Sequence, residues 1–193
     1  MILISILPSP SRKLILFFAG TIFLSCISCF GHSAFFVVKS TPYDNQMTRI
    51  RPILETVVPT SRSADLSLRL VNHWIENLRA IPYSFSQQWR TPSEVETATT
   101  ADCKGKAVTL YEKMRRSGIS NVRLVIGRRS PSSRSTHAWV EWAASDAHYI
   151  LDPTINWFAF RSDDLPKDNY IPFYAYTGSD KFCATPAVLV ARN

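Results

Sequence analysis

Three runs decide the fold: Ala101-Asp-Cys-Lys-Gly-Lys-Ala-Val-Thr-Leu-Tyr-Glu-Lys-Met-Arg-Arg-Ser-Gly118, Asn121-Val-Arg-Leu-Val-Ile-Gly127 and Thr136-His-Ala-Trp-Val-Glu-Trp-Ala-Ala-Ser-Asp-Ala-His-Tyr-Ile-Leu-Asp-Pro-Thr154. In the first, Ala107, Leu110, Tyr111 and Met114 recur at i, i+3, i+4 and i+7, which predicts a helix with one buried stripe. Gly118 suits the position just past its end. That register starts the helix at or near Cys103 with Asp102 as cap, so the thiol meets the positive end of the macrodipole, where thiolate is favoured. In the second run Val122, Leu124 and Ile126 alternate, as in a half-buried strand.

The third run holds two β-rich segments separated by Ala-Ser-Asp-Ala, a hairpin connection. An even connection places His137, Trp139 and Glu141 on one face with His148, Ile150 and Asp152. His137 and Asp152 then stand opposite or one diagonal step apart, roughly 5 to 8 Å between backbones, which imidazole and carboxylate can bridge. An odd connection would send them to opposite faces. A helix followed by antiparallel strands is the order of an α+β fold.

A cysteine nucleophile (Cys103), a histidine base (His137) and a carboxylate that orients the imidazole (Asp152) form the set required for acyl transfer through a thioester. Asp102-Cys103 with Ala107, His137-Ala138-Trp139 and Leu151-Asp152-Pro153 together resemble the transglutaminase-like superfamily, with its papain-like Cys-His-Asp core. Val71-Asn72 and Gln88-Trp89-Arg90-Thr91-Pro92-Ser93-Glu94 extend the likeness toward its bacterial cysteine proteinases, over about residues 64–157. The resemblance implies cleavage of an amide in a protein or peptide substrate, a cell-surface protein among the candidates. Two other outcomes fit the same scaffold: amine transfer or deamidation, and a non-catalytic module that binds a peptide or surface polymer.

The chain departs from those proteinases in two places. They carry acids after the cysteine that hold calcium in some members; Lys104 and Gly105 stand there here, so neither metal nor cofactor is expected. Papain-like enzymes complete the oxyanion hole with a Gln shortly before the cysteine, whereas this chain has only Gln87 and Gln88. The Cys103 N–H is one expected donor, with Gln88 or Trp89 as the second and Trp139 in the cleft.

The remaining sequence sets the context. At 193 residues, 46% hydrophobic and 19% charged, the chain is long and apolar enough to bury a core. Arg12-Lys13 before the apolar run Leu14–Phe30 read as an export signal over residues 1–34, with a cleavage site near Cys29-Phe30-Gly31 or His32-Ser33-Ala34. Lipidation at Cys26 and a retained anchor are the alternatives, and the N-terminal segment, uncleaved or lipidated, is the chain's one route to a membrane. Each outcome places the rest in the periplasm or outside the cell. Losing those two cations lowers the net charge from +7 to +5, still basic.

Residues 35–62, with Pro42, Pro52 and Pro59, read as an arm or linker, and 63–193 as the catalytic domain. Asp65–Ala80 is an amphipathic helix with Ser63 as its cap; Leu66, Leu70, Val71, Trp74, Ile75 and Leu78 form its stripe, and His73 sits at the edge. Ile81–Thr100 reads as irregular. The polar loop Arg128–Ser135 is solvated or draws acidic groups toward His137. The aromatics after Thr154 belong to strands or irregular packing. An exported chain whose mature part keeps Cys103 and Cys183 also invites a disulfide, which would block the nucleophile. Zinc fails on spacing, a nucleotide site on the lack of any Gly-rich loop, and nucleic acid on the lack of a recognition motif.

Overall fold

A computed structural model describes residues 34–58 and 67–185. The expected export signal, all but Ala34, and the expected Ser63 cap lie outside the described residues.

The elements in chain order are β1 (Ala34–Val37), a 3-10 turn (Thr48–Ile50), α1 (Arg51–Leu54), α2 (Leu68–Ala80), α3 (Pro92–Thr97), α4 (Cys103–Arg116), β2 (Val122–Arg128), β3 (His137–Ala143), β4 (His148–Leu151), β5 (Phe160–Arg161), a second 3-10 turn (Ser162–Asp164), β6 (Ile171–Thr177) and β7 (Asp180–Thr185). The strands form one antiparallel sheet ordered β1-β7-β6-β2-β3-β4-β5. With helices packed on it, the architecture is α+β, as the sequence order predicts.

Helix α4 is the centre of the packing. Its Gly105 N–H donates to the Asp102 carboxylate at 2.9 Å, and Gly118, at φ 96°, stops the chain just past its end. The predicted stripe is buried, and so are Val108, Thr109 and Lys106, so its first three turns are enclosed nearly all round. Leu124, Ile126, Ala138, Val140, Trp142 and Leu151 belong to the main core with α4. Alternate residues Val125, Trp139 and Ile150 join Tyr170 and Ala175 in a second cluster, with Phe35 and Phe182 at its margin. Strand β3 is therefore buried on both sides, which explains its almost unbroken apolar run.

Three local expectations change. The segment expected to be an arm supplies the edge strand β1, registered on β7 from Ala34↔Thr185 to Val37↔Phe182, and buries Met47, Ile50 and Leu54. Tyr111 of α4 donates its hydroxyl to the Leu54 carbonyl at 3.1 Å, tying that segment to the core. Helix α2 begins at Leu68, with the Ser67 hydroxyl accepting the Leu70 N–H; Val71, Ile75 and Leu78 are buried, but Leu70 is exposed. The irregular stretch before Cys103 contains α3, opened by a capping box in which Thr91 and Glu94 exchange hydrogen bonds and Pro92 occupies the first turn.

One glycine governs how the site strand is held. Gly127 pairs with His137 across β2 and β3, next to a register shift in the β2–β6 pairing. A Cβ there would lie 2.1 Å from the Ile171 carbonyl oxygen and 2.6 Å from the Trp139 ring. The backbones and the indole close to these distances only because position 127 has no side chain.

Candidate active site

The connection Ala144–Ala147 has four residues, closed by an Ala144 N–H to Ala147 carbonyl bond of 2.9 Å, and it pairs Ala143 with His148 and Glu141 with Ile150. Extending that register sets Trp139 opposite Asp152 and makes His137 the diagonal neighbour. The even count thus brings imidazole and carboxylate together, with His137 Nε2 2.8 Å from Asp152 Oδ2.

Asp152 is fully buried, and both of its carboxylate oxygens accept hydrogen bonds. Oδ1 accepts the Thr154 N–H at 3.0 Å, and Oδ2 also accepts the Tyr170 hydroxyl at 3.0 Å. Tyr170 in turn accepts from Asn156 Nδ2 at 3.0 Å, and its N–H donates to the Arg129 carbonyl at 2.8 Å. Its φ of 53° is a left-handed conformation costly for a residue with a Cβ. Burial and the Asp152 charge raise the phenol's pKa well above its ordinary value, so it stays a donor to the carboxylate.

His137 is mostly buried. Burial opposes its charge, but hydrogen bonds to Asp152 and Cys103, and the charges of both, raise its pKa to about 9. With Nε2 on Asp152, Nδ1 is the nitrogen left for Cys103. Cys103 is the first residue of α4, as predicted. It is a free thiol, and so is Cys183 on β7; no disulfide joins them.

The other predicted site residues separate. Trp139 is fully buried; its ring stacks near the His137 imidazole with centroids 6.3 Å apart, and Nε1 donates to Glu141 at 3.2 Å. It supports the imidazole and lines no open cleft. Gln88 is exposed, and its side-chain oxygen accepts from Arg49 Nη1 at 3.1 Å. Trp89 is buried, and its indole Nε1 has no hydrogen-bond partner. A buried N–H without a partner is uncommon, because losing hydration uncompensated costs about 1–3 kcal/mol.

Two lysines flank the cysteine. The Lys104 ammonium pairs with Asp102 Oδ2, donates to the Ser86 carbonyl at 2.8 Å and lies 4.7 Å from the centre of the Phe85 ring. The same Asp102 oxygen accepts the Ser86 N–H at 3.3 Å. A side chain at position 105 would displace a neighbour, since a Cβ would stand 2.8 Å from Val95 Cγ2. No cluster of three His, Cys, Asp or Glu side chains suited to a metal occurs among the described residues. Lys106, one turn beyond Cys103, is buried and donates to the Ile81 carbonyl at 2.5 Å. Burial and Arg79 lower its pKa, and Asp152 acts against them.

Lys106, Tyr170 and Asn156 were not anticipated from sequence. A lysine inside an apolar helical stripe was the one visible signal; the aromatic 18 residues beyond Asp152 carried none.

No family model matches the chain, and no curated protein matches it. Solved structures do. The EGTA-treated form of Legionella pneumophila LapG aligns at TM-score 0.54 and 12% identity, covering 76% of this chain and 80% of that one. The calcium-bound form of LapG aligns at TM-score 0.52 and 13% identity, covering 75% and 81%. A third LapG structure gives TM-score 0.51 at 12% identity, covering 75% and 81%. Likeness at this identity speaks to the fold alone: the α+β arrangement of helices on an antiparallel sheet is shared with LapG.

Proposed function

We propose that the chain is an exported cysteine peptidase in which Cys103 attacks a peptide or side-chain amide, His137 moves the proton and Asp152 holds the imidazole. The observation that carries this reading is the 2.8 Å bond from a fully buried Asp152 to His137, with Cys103 as the first residue of α4 and near enough to raise the pKa of the imidazole.

In the first half-reaction the Cys103 sulfur bonds to the amide carbon and the carbonyl becomes an oxyanion. The C–N bond then breaks, the amine leaves with the proton from His137, and a thioester remains. In the second, His137 takes a proton from water as the hydroxide adds to the thioester; the carboxylic acid departs and the thiol is restored. The Cys103 N–H, at the first turn of α4, is one oxyanion donor. We assign Trp89 as the second, because its N–H is unpartnered while Gln88 is held by Arg49; the N–H is buried in the free chain, so substrate has to uncover it. Trp89→Phe keeps the aromatic volume and lowers kcat by about 10²-fold or more with a smaller change in KM, measured by steady-state kinetics. An unchanged kcat removes Trp89 from the mechanism.

The pH profile follows from His137. With its pKa raised to about 9, the proton required by the leaving amine is present below that pH and lost above it. kcat/KM therefore falls on the alkaline side near pH 9. Asp152→Asn removes the charge that supports the imidazolium, so the limb moves toward the ordinary histidine value of about 6.5 and kcat drops by up to about 10⁴-fold.

Calcium plays no part in this proposal, since the Lys104 ammonium stands on Asp102 and Gly105 supplies no carboxylate. Activity in excess EGTA equals activity in added calcium; loss on chelation with recovery on addition would contradict this. Water is the proposed acyl acceptor, because a lysine side chain would approach Lys104, Lys106 and the arginine loop. Mass spectrometry of surface-protein extracts treated with the enzyme and a tagged amine checks the acceptor: new termini are the expected product, deamidated Gln or incorporated amine the contrary ones.

A further inference from the structure

The exposed apolar side chains are unevenly placed. Tyr83 (56% exposed) and Phe85 (70%) lie on one short segment, and Ile155 (39%), Trp157 (52%) and Phe158 (50%) on another. The other large exposed ones, Phe36, Val37, Val57, Leu68 and Leu70, all stand within four residues of the undescribed segments, so their exposure decides nothing.

Both segments border the catalytic residues. Tyr83 forms a parallel bridge with Ala101, two residues before Cys103, through Ala101 N–H to Pro82 and Ser84 N–H to Ala101 bonds of 2.9 and 3.4 Å. The second segment leaves Asp152 by a turn in which its carbonyl accepts the Ile155 and Asn156 N–H groups at 3.3 and 2.9 Å. The end of α2 joins the two: Arg79 Nε donates to the Ile155 carbonyl at 3.3 Å and its guanidinium lies 4.9 Å from the Trp157 ring, while the chain continues from it through Ile81 into Tyr83. The Ile81 carbonyl is pinned by Lys106. A cation thus sits against an aromatic in each segment, Lys104 at Phe85 and Arg79 at Trp157.

We infer that these segments are two walls of the substrate site, and that they select an extended peptide with bulky apolar side chains on both sides of the cleaved amide and acidic ones farther out. The inference rests on the proposed peptidase function. A contiguous exposed apolar patch next to reactive groups marks a binding surface, and each large side chain it covers removes apolar area from water. Lys104 is paired with Asp102, whereas Arg79 meets a carbonyl and an aromatic ring, so Arg79 is the charge that disfavours cationic flanks.

The test measures binding to the Cys103→Ala chain by calorimetry, using two capped octapeptides with Asp at both ends. One carries Leu and Phe at the two positions on each side of the central amide; the other carries Ser at those four positions. The apolar peptide binds tenfold or more tightly, and the Tyr83→Ser/Trp157→Ser double variant loses that preference. Replacing the terminal Asp by Lys weakens binding severalfold at low salt. Equal binding of the two peptides, or a preference that survives in the double variant, overturns the inference. Far-UV circular dichroism verifies that each variant is folded, and Phe85→Ser gives a second reading if the double variant is not.

Turnover by the chain with Cys103 intact separates the two claims. Cleavage of both peptides with equal KM retains the peptidase and rejects the walls. Selective binding without Cys103-dependent cleavage retains the walls and rejects the peptidase.

Discussion

Cys103→Ala loses nearly all peptide turnover while its far-UV spectrum and unfolding temperature stay close to the parent's. The chemical loss is expected to approach the roughly 10⁶-fold seen when a nucleophile is removed from a coupled triad, because the histidine and carboxylate serve only the sulfur. The structural loss is small: only Sγ is deleted, at the first turn of α4, where the Asp102 cap and the helix hydrogen bonds are untouched. A second measurement uses the parent alone. A Cys103 paired with His137 at the start of a helix alkylates with iodoacetamide much faster than an ordinary thiol at neutral or mildly acidic pH. Ordinary alkylation kinetics would favour a binding module on the same scaffold, and unchanged turnover in Cys103→Ala would remove Cys103 from the mechanism.

Gly127→Val is expected to have the largest effect on stability of any single change outside the triad. Its Cβ would meet the Ile171 carbonyl oxygen at 2.1 Å, the Trp139 ring at 2.6 Å and the Pro172 Cα at 2.8 Å. Two of these are backbone atoms of β6 and the third is a buried indole, so none can yield as the end of a flexible side chain would. Overpacking of this kind costs about 3 kcal/mol or more, which for a domain of this size lowers Tm by roughly 6–12 °C. Activity falls further than the folded fraction, because β2 must part from β6 and the Trp139 ring stacked near His137 must move. Gly178→Ala is the control: it has φ +58° but nothing within 4 Å of the added Cβ, so it carries the left-handed conformational cost of about 1–2 kcal/mol alone. Equal unfolding temperatures for the two variants would remove the steric argument.

How far the site could be read from sequence depended on the distance over which each interaction acts. Helix α4 and the His137–Asp152 pairing were legible because a 3.6-residue period and a four-residue turn are local and fix which side chains share a face. The box Thr91-Pro92-Ser93-Glu94 was equally local and marked α3, although the prolines around it suggested irregular chain. Residues 34–58 carried no period because they contribute a four-residue edge strand and isolated anchors such as Ile50 and Leu54. Tyr170 could not be assigned to Asp152, since its left-handed backbone and its bond to Arg129 depend on how β6 returns beside β2. Gln88 and Trp89 are neighbours in an irregular stretch, and only Arg49, 39 positions before Gln88, distinguishes them.

The ammonium of Lys104 is joined by covalent bonds to the same stretch of chain as its partner Asp102. A dissolved ion occupies a site to the extent that its concentration exceeds a dissociation constant, and it leaves when the medium is depleted. A tethered charge has a local concentration set by chain geometry, which dilution does not change. LapG has been solved in both calcium-bound and EGTA-treated forms, two ionic conditions for one fold. In the present chain the positive charge beside the cysteine is inherited with the sequence, and it stays in place when the medium is stripped of free cations.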